Sequence, residues 1–550
     1  MVYLSIQLVY VVIVFGGLSV KEVLQKYGPL LFILILITCV CLNYSHSKSG
    51  MFIDEIYTYG LSNSSKGAFL RDCIGGTLEN QVVSRQDFLD YVSVQPGERF
   101  SFLSVYNNQA ADVHPPLYYW LFHIVSSLMP GVFSKWTGLV LDLFLYLGTL
   151  ILLYLLLREL FESQVTALAG VVIYGLSQIG LSTMLMIRMY VLLTLLTVLL
   201  AWCVVKLMQN SKPLFYVLTC LTIFSGVMTQ YYFVFYAFFL CALFVVYSLF
   251  KRDWKGTVLF AASALSGIGL LFICFPPVLD HLFANKLVSG VNALSKLNTP
   301  PPIYKEQLGY YFDELRHGLR AAVLIVPVLL VFLLVFSRRN LKLTCKKVFS
   351  SQALIVVLPA FMVLPLVALL SPMLAIRYIY NLCPIFVTAV AMLIAWLEIS
   401  TQDIPVFKIL KMIALGGLVL FCLWFGCRME PSYQYLNHSD FNNKVSIYQN
   451  NPCVYLTADY NAPPTQDLIQ LLTFEEVFIA SSPESDVLKE YLDNFGGKDC
   501  ILYIDVDDFW SSGFEPEEML SRMMLLGYES YELLYSHGLS QCYLLINGQR

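Results

Sequence analysis

The chain has 550 residues, of which 58% are hydrophobic and only 13% are charged. This composition is too apolar for a soluble protein of that length, and repeated apolar runs near bilayer thickness indicate a polytopic membrane protein. The net charge of -4 gives no sign of nucleic-acid binding.

The charge is unevenly distributed along the chain. From Arg428 onward there are 6 Lys and Arg residues against 19 Asp and Glu residues, whereas the preceding part holds 28 basic and 19 acidic residues. A basic membrane body with an acidic tail predicts that the two parts lie in different compartments.

Apolar runs predict eleven or twelve membrane helices. The count depends on residues 3–19, a short apolar stretch without the basic start or cleavage site of a signal peptide. The firmer spans are predicted near 29–43, 137–157, 164–184, 190–208, 213–229, 232–250, 256–277, 320–337, 352–371, 378–397 and 409–427.

Lys and Arg residues in alternate short loops fix the predicted orientation, because cytoplasmic loops are enriched in them. This pattern places the loops 44–136 and 278–319 and the whole tail on the external side. The domain prediction is an extra hydrophobic segment at 1–28, a membrane domain at 29–429 and an extracytoplasmic domain at 430–550.

The tail alternates short strand-like and helix-like runs, which predicts a small α/β domain. Its Asp505-Val506-Asp507-Asp508 sequence is compatible with divalent-cation binding or with a solvated turn. Three cysteines lie in the tail, so a disulfide is possible but the sequence does not decide it, and no Cys/His cluster indicates zinc.

Asp54 and Glu55 follow the first firm span by about ten residues. A carboxylate at an outer membrane surface can act as a general base on a hydroxyl or amine, or it can bind a metal. The dipeptide is also typical of two solvated acids in a loop.

The second candidate is Asp112-Val113-His114-Pro115-Pro116-Leu117-Tyr118-Tyr119. Its prolines favour a helix start, where a missing N–H costs nothing. His114 is thereby predicted at the mouth of a helix, a position that favours anions. A helix-capping turn with an aromatic anchor is the alternative.

Further polar points lie on the predicted external face: Arg188 and Tyr190 in one corner, Gln230 and Tyr231 in another, and Arg377 with Tyr378 at a helix start. An external arginine can hold a lipid phosphate bidentately or can simply anchor the interface. The basic loop 278–319 suits a phosphate-bearing ligand, although solvated charge explains it too.

Together, these motifs resemble the GT-C superfamily of membrane glycosyltransferases, above all the protein O-mannosyltransferases and the bacterial aminoarabinose transferases. The matching elements occur in order over residues 25–430: Asp54-Glu55, Asp112–Leu117, Arg188-Met189-Tyr190, Gln230-Tyr231-Tyr232 and Arg377-Tyr378. The resemblance implies a GT-C fold of about 11–12 helices that carries the C-terminal α/β domain.

The resemblance also implies an activity. The donor would be a sugar on a polyprenyl phosphate, and transfer with inversion would reach a cell-envelope glycan, lipid or protein. Asp54 would be the general base, Glu55 would orient it or the acceptor, and His114 would shape the site. Arg377, together with Arg188, would hold the lipid phosphate. Relatives differ over divalent cations, so no cofactor is predicted, and the location would be the bacterial plasma membrane.

The chain departs from the eukaryotic mannosyltransferases after His114-Pro115-Pro116, where Leu117-Tyr118-Tyr119 replaces a Lys-containing continuation. Mannose and a protein acceptor therefore do not follow. A transporter of lipid-linked saccharides is the alternative, although no internal repeat and few mid-membrane charges support it. A membrane-anchored scaffold with a binding tail would leave Asp54 and His114 without a purpose.

Overall fold

The computed structural model describes residues 20–73, 80–283, 295–336, 348–459, 461–507 and 513–548. They divide into two compact units that interleave along the chain. The helical unit comprises the described residues up to His46, Asp142–Leu185 and Tyr190–Ser432. The mixed unit comprises Ser47–Leu141, Met186–Met189 and the chain from Tyr433 onward.

Among the described residues, eight helices are long and apolar enough to cross a membrane, or up to ten if each of two bent pairs is one span. The bent pairs are Gln164–Gly175 with Gln178–Leu185, and Pro301–Gly318 with Arg320–Val335. The eight candidate spans are Tyr27–Ser47 (in the helix Val20–Ser47), Lys135–Phe161, Tyr190–Gln209, Phe233–Phe250, Trp254–Cys274, Ser351–Leu370, Ile376–Thr401 and Pro405–Gly426.

The helical polytopic class is confirmed, and the described residues provide eight to ten candidate spans, fewer than the eleven predicted within them. Each interior run does form a helix, yet Pro213–Val227 is short and the run 164–184 is divided into Gln164–Gly175 and Gln178–Leu185, which meet at a 60° bend. At the first break, the Ser177 hydroxyl donates to the carbonyl of Tyr174 and accepts the N–H of Gly180, so it closes one helix and caps the next. Residues 3–19 lie outside the described part.

Packing in the helical unit pairs helices that are distant in sequence. Phe233–Phe250 packs against Ser351–Leu370, and Cys383–Thr401 packs against both Gln164–Gly175 and Arg320–Phe336. Threonines inside these apolar helices satisfy their hydroxyls by donating to the carbonyl four residues earlier, which makes them tolerable in a membrane. This group includes Thr194, Thr197, Thr219 and Thr222.

The mixed unit is built on one six-stranded sheet with the order β1-β3-β2-β4-β6-β5. The central pairs β3–β2 and β2–β4 are parallel, and the outer pairs are antiparallel. The strands are β1 (Gln81–Ser84), β2 (Cys453–Leu456), β3 (Glu476–Ala480), β4 (Cys500–Asp505), β5 (Ser530–His537) and β6 (Ser540–Ile546).

The predicted C-terminal α/β domain is therefore confirmed, with one addition. Strand β1 comes from the long loop after the first span, and Val82 pairs with Phe478 of β3. One face of the sheet is covered by Asp486–Asp493 and Pro516–Met524, whose apolar side chains join the strands in a buried core. Cys453, Cys500 and Cys542 are buried in this domain as free thiols.

Short helices complete both units. The mixed unit contains Ile53–Asn63, Leu70–Cys73, Arg85–Val92, Phe102–Ala111, Leu117–Leu128, His438–Ser446, Ala462–Gln466, Leu468–Leu471 and a 3₁₀ turn at Pro96–Glu98. The helical unit adds Val278–Phe283 and the 3₁₀ segments Ser295–Asn298 and Ile376–Leu382.

Candidate active site

Asp54 and Glu55 lie in the first turn of the helix Ile53–Asn63. Two acids are favourable there because the helix dipole places positive charge at the N-terminus. The Glu55 carboxylate also accepts the N–H of Phe52, at 2.7 Å, so it caps its own helix. The predicted loop acids are thus fixed on a helix, not on a mobile segment.

The Glu55 carboxylate is fully enclosed by donors. Its Oε2 pairs with the Lys48 ammonium at 3.0 Å, and both side chains have no exposed surface. Its Oε1 accepts the N–H of Ile187 at 2.9 Å. Burial raises the pKa of Glu55, whereas Lys48 and the N–H groups of Ile187 and Phe52 oppose that change. Glu55 therefore connects the start of its helix to Lys48 and to the backbone of Ile187.

Asp54 is placed differently, because it is only half-buried. Its backbone carbonyl accepts a hydrogen bond from the Arg188 guanidinium at 2.6 Å and another from the Thr58 hydroxyl at 3.1 Å. Arg188 itself is only 4% exposed. Of the two adjacent acids, Asp54 is the one that a ligand can approach.

Asp112 and His114 form a second pair in the mixed unit. The His114 Nδ1 lies 2.7 Å from the Asp112 carboxylate. Burial of Asp112 raises its pKa, but His114 and then Arg188 outweigh burial, so the pKa lies below its ordinary value. An ionised Asp112 fixes the His114 ring at the entrance of the helix Leu117–Leu128.

Tyr57 lies one turn beyond Asp54 on the same helix, at the i+3 position that shares its face. The side-chain amide of Asn461 donates to its phenol oxygen at 3.0 Å. Burial raises the pKa of Tyr57, and the carboxylates of Asp459, Asp54 and Asp112 raise it further. Tyr57 therefore stays a neutral phenol beside the two acids.

The remaining predicted residues belong to the helical unit. Arg377 is 8% exposed, and its guanidinium lies over the Tyr378 ring, 5.6 Å from the ring centre. The Tyr378 ring stacks on Tyr232 at 5.3 Å. The Tyr231 hydroxyl is 2.9 Å from His281 Nδ1. These contacts bring the Arg377-Tyr378 and Gln230-Tyr231-Tyr232 motifs together.

Two other predicted residues are also buried there. The Gln230 side chain is 5% exposed, and its oxygen accepts the N–H of Tyr231. Tyr190 meets the ring of Tyr380 edge-on at 6.2 Å. Both side chains are thereby fixed in orientation.

Lys296, from the predicted basic loop, reaches the same region of the helical unit. Its ammonium donates to the carbonyls of Ser371 and Pro372. Burial lowers its pKa. The loop residues 284–294, including Lys286, lie outside the described part of the chain.

The contacts of Lys48 with Glu55 and of Asn461 with Tyr57 were not predicted from the sequence. Lys48 is a single lysine after a span, and non-helical residues separate it from Glu55, so their spacing of seven residues carries no helical signal. Asn461 is separated from Tyr57 by 404 positions. No local signal could have indicated either contact.

At the acidic run of the tail, the described carboxylate of Asp505 is engaged by donors of the protein itself. The Asp505 carboxylate accepts bonds from the Thr457 hydroxyl and from the N–H groups of Ala458 and Asp507. Asp508 lies outside the described residues. Within the described residues, no group of three or more His, Cys, Asp or Glu side chains is placed to hold a metal ion.

Residues 113–280 match the family of dolichyl-phosphate-mannose-protein mannosyltransferases. No curated protein sequence matches the chain. The family match begins one residue after Asp112 and includes His114, Arg188 and Gln230. The resemblance predicted from the sequence motifs is confirmed.

The fold is similar to that of ArnT from Cupriavidus metallidurans. Its structure bound to undecaprenyl phosphate has a TM-score of 0.52 at 10% identity, and the apo structure has 0.52 at 11%. Both comparisons cover 96% of this chain and 100% of the other. Identity this low shows a shared fold, which includes the helical membrane region and the C-terminal domain.

Proposed function

We propose that this multi-pass membrane protein, whose residues 113–280 match the mannosyltransferase family, transfers a sugar from a polyprenyl-phosphate donor to an acceptor at the outer membrane face. The family match and the ArnT-like fold support this class of reaction. The ArnT relative was solved with undecaprenyl phosphate, which supports a polyprenyl carrier as the donor lipid.

Asp54 is the proposed general base. The observation that carries this assignment is the contrast between the two adjacent acids. Glu55 has no exposed surface and three donors on its carboxylate, whereas Asp54 is half-buried at the start of the same helix. A general base has to come within hydrogen-bond reach of the proton that it removes.

The proposed reaction is an inverting displacement at the anomeric carbon. Asp54 removes the proton of the acceptor hydroxyl or amine, and the freed electron pair forms the new bond to the anomeric carbon. The bond between that carbon and the phosphate oxygen breaks, and polyprenyl phosphate leaves with the electron pair. Positive side chains that meet the leaving phosphate lower the barrier.

Arg377 is the proposed phosphate ligand, and Arg188 is assigned a different role. The Arg377 guanidinium lies over the Tyr378 ring and beside the thioether of Met373, and its planar array of N–H donors suits a phosphate. Arg188 donates to the Asp54 carbonyl and lowers the pKa of Asp112. Arg188 therefore positions the base, and His114 with Asp112 shapes the neighbouring wall of the proposed site.

The activity test uses the purified full-length protein in detergent with a panel of polyprenyl-phosphate hexoses and pentoses. Released polyprenyl phosphate is measured with and without candidate acceptors. We expect turnover, or slow donor hydrolysis, with at least one donor. Transport of an intact lipid-linked saccharide across vesicle membranes, without release of polyprenyl phosphate, would contradict the proposal.

A further inference from the structure

The segment Tyr433–His438, at the start of the C-terminal domain, holds the chain just before the Asp54 helix. The N–H of Ser49 donates to the Gln434 carbonyl at 2.9 Å. The Lys48 ammonium donates to the Tyr433 carbonyl. These bonds join residues nearly 400 positions apart in sequence, and all of them lie within the mixed unit.

Side chains also pack between the segment Tyr433–His438 and residues 50–52. The Phe52 ring stacks parallel to Tyr435, with ring centres 6.5 Å apart, and meets Tyr433 edge-on at 6.0 Å. Gly50 packs so tightly against His438 that a Cβ there would lie 2.1 Å from its Nδ1. A glycine is therefore required at position 50 for this approach.

The segment is also strained. Tyr433 and Tyr435 have φ angles of +70° and +49°, in the left-handed region that bulky residues rarely adopt. Such a conformation is strained and persists only where surrounding contacts fix it. Two such residues beside the buried Lys48 indicate that surrounding contacts hold the segment Tyr433–His438 in this conformation.

Lys48 connects this segment to the Asp54 helix and to the residues Ile187 and Arg188. Its ammonium binds the Glu55 carboxylate, whose other oxygen holds the N–H of Ile187. Ile187 precedes Arg188, which binds the Asp54 carbonyl. The chain of contacts therefore runs from Tyr433 through Lys48 and Glu55 to the backbone of Asp54.

A second contact from the C-terminal domain reaches the next turn of the same helix. Asn461 binds Tyr57, and the helix Ala462–Gln466 packs against the helix Ile53–Asn63. The Asp54 helix is thus held at its first turn through Lys48 and at its second turn through Tyr57. Two independent contacts fix both the position and the rotation of the helix.

We propose that the C-terminal domain positions the catalytic base, with Lys48 and Asn461 as the positioning residues that set the Asp54 helix. This inference rests on the proposed function, since it concerns the orientation of Asp54 toward its acceptor. A misplacement of about 1 Å can cost about 100-fold in rate even when the substrate still binds.

The first test compares Lys48→Met with Lys48→Arg in the full-length protein. Polyprenyl-phosphate release gives kcat and KM, direct binding of polyprenyl phosphate is measured separately, and thermal unfolding reports folding. We expect Lys48→Met to lose about 100-fold in kcat while lipid binding changes less than about threefold. Lys48→Arg, which keeps a donor for Glu55 and Tyr433, should recover a substantial part of kcat.

Lys444→Met is the matched control. Lys444 also belongs to the C-terminal domain, where it pairs with the exposed Asp440 and donates to the Leu534 carbonyl. We expect its kcat to equal that of the wild type. If Lys48→Met fails to fold, the double variant Lys48→Met with Glu55→Gln removes both buried charges and restores a neutral site for the same assay.

The second test is a double-mutant cycle on Asn461→Ala and Tyr57→Phe. Each single change removes the same hydrogen bond, so the double variant should lose no more kcat than either single variant. Asn451→Ala, which breaks a comparable bond to the Asp499 carbonyl, serves as the control within the domain and should leave kcat unchanged.

The outcomes separate this inference from the proposed function. If the wild type releases no polyprenyl phosphate, the proposed function fails before any variant is compared. If the wild type turns over and both Lys48→Met and Asn461→Ala keep full kcat, the positioning role is overturned and the function stands. Loss of kcat in parallel with loss of folding in every variant would show a purely structural role and also overturn the inference.

Discussion

The two polar clusters of this protein are built in different ways, one in each unit. The cluster around Asp54 is a network of charge partners: Lys48 with Glu55, Asp112 with His114, and Arg188 with a carbonyl. The cluster around Arg377 consists of stacked tyrosines with a guanidinium over one of the rings.

This difference predicts how each cluster responds to mutation. Removing one member of a buried ion pair leaves the other charge without compensation, which costs far more than the pair contributes. Removing a cation from an aromatic stack leaves the stack in place. We therefore expect variants in the Asp54 cluster to lose stability or rate, and variants in the Arg377 cluster to lose donor binding.

The largest stability effect is expected for Glu55→Ala. This change removes the carboxylate that balances the buried charge of Lys48 and accepts the Ile187 N–H, which should lower the free energy of unfolding by about 3–5 kcal/mol. Thermal or denaturant unfolding in detergent measures it. Glu490→Ala, an exposed glutamate on a helix of the same unit, should change by less than about 0.5 kcal/mol. Similar values for the two variants would refute the buried network.

Arg188→Met should have the next largest effect. The variant loses a charge-assisted hydrogen bond to the Asp54 carbonyl, and such bonds contribute about 1.5–3 kcal/mol. It also removes a cation that helps to keep Asp112 ionised. We expect a destabilisation within that range together with a lower kcat. A variant that shows only a raised KM for the donor would instead assign Arg188 to the phosphate.

His114→Ala should change the acid sensitivity of the protein. Because the pKa of Asp112 is lower in the folded state, its carboxylate contributes stability above about pH 4 that is lost as the pH falls through the folded-state value. Without His114 this contribution shrinks, by about 1–2 kcal/mol at neutral pH. Unfolding free energies at pH 7 and pH 3 test it. An unchanged difference between the two pH values would count against the Asp112–His114 pair.

Arg377→Gln should have the smallest effect on stability of these four changes, because glutamine can keep part of the packing over the Tyr378 ring. If its guanidinium binds the donor phosphate, KM for the polyprenyl-phosphate donor should rise about tenfold, since a bidentate charged contact is lost. Lys305→Gln, on the same side of the predicted topology and exposed, is the matched control. An unchanged KM would remove Arg377 from the donor site.

Much of this fold could be predicted from composition and periodicity, because membrane helices and buried strands leave strong local signals. The strands β2, β3, β4 and β6 match apolar runs. Strand β1 was missed, because Gln81–Ser84 is short and half polar and becomes a strand only through its pairing with β3. Strand β5 was missed because its residues are largely exposed at the edge of the sheet.

The site was only partly predictable for the same reason. Asp54, Asp112 and His114 lie near recognisable boundaries between apolar spans and polar sequence. The family resemblance implied different roles for Asp54 and Glu55, but the buried surroundings of Glu55 were not visible, because they depend on Lys48 and on the N–H of Ile187, 132 positions away. Long-range contacts of this kind have no periodicity, and only the folded chain shows them.

The most direct test of the central assignment is the single-turnover rate of Asp54→Asn beside Glu55→Gln with the same polyprenyl-phosphate donor. If Asp54 is the base, Asp54→Asn should lose about 10²–10⁴-fold in rate with unchanged polyprenyl-phosphate binding and unfolding temperature. Glu55→Gln should lower the unfolding temperature and keep a measurable rate. A full rate in Asp54→Asn, with the loss appearing in Glu55→Gln instead, would contradict the assignment.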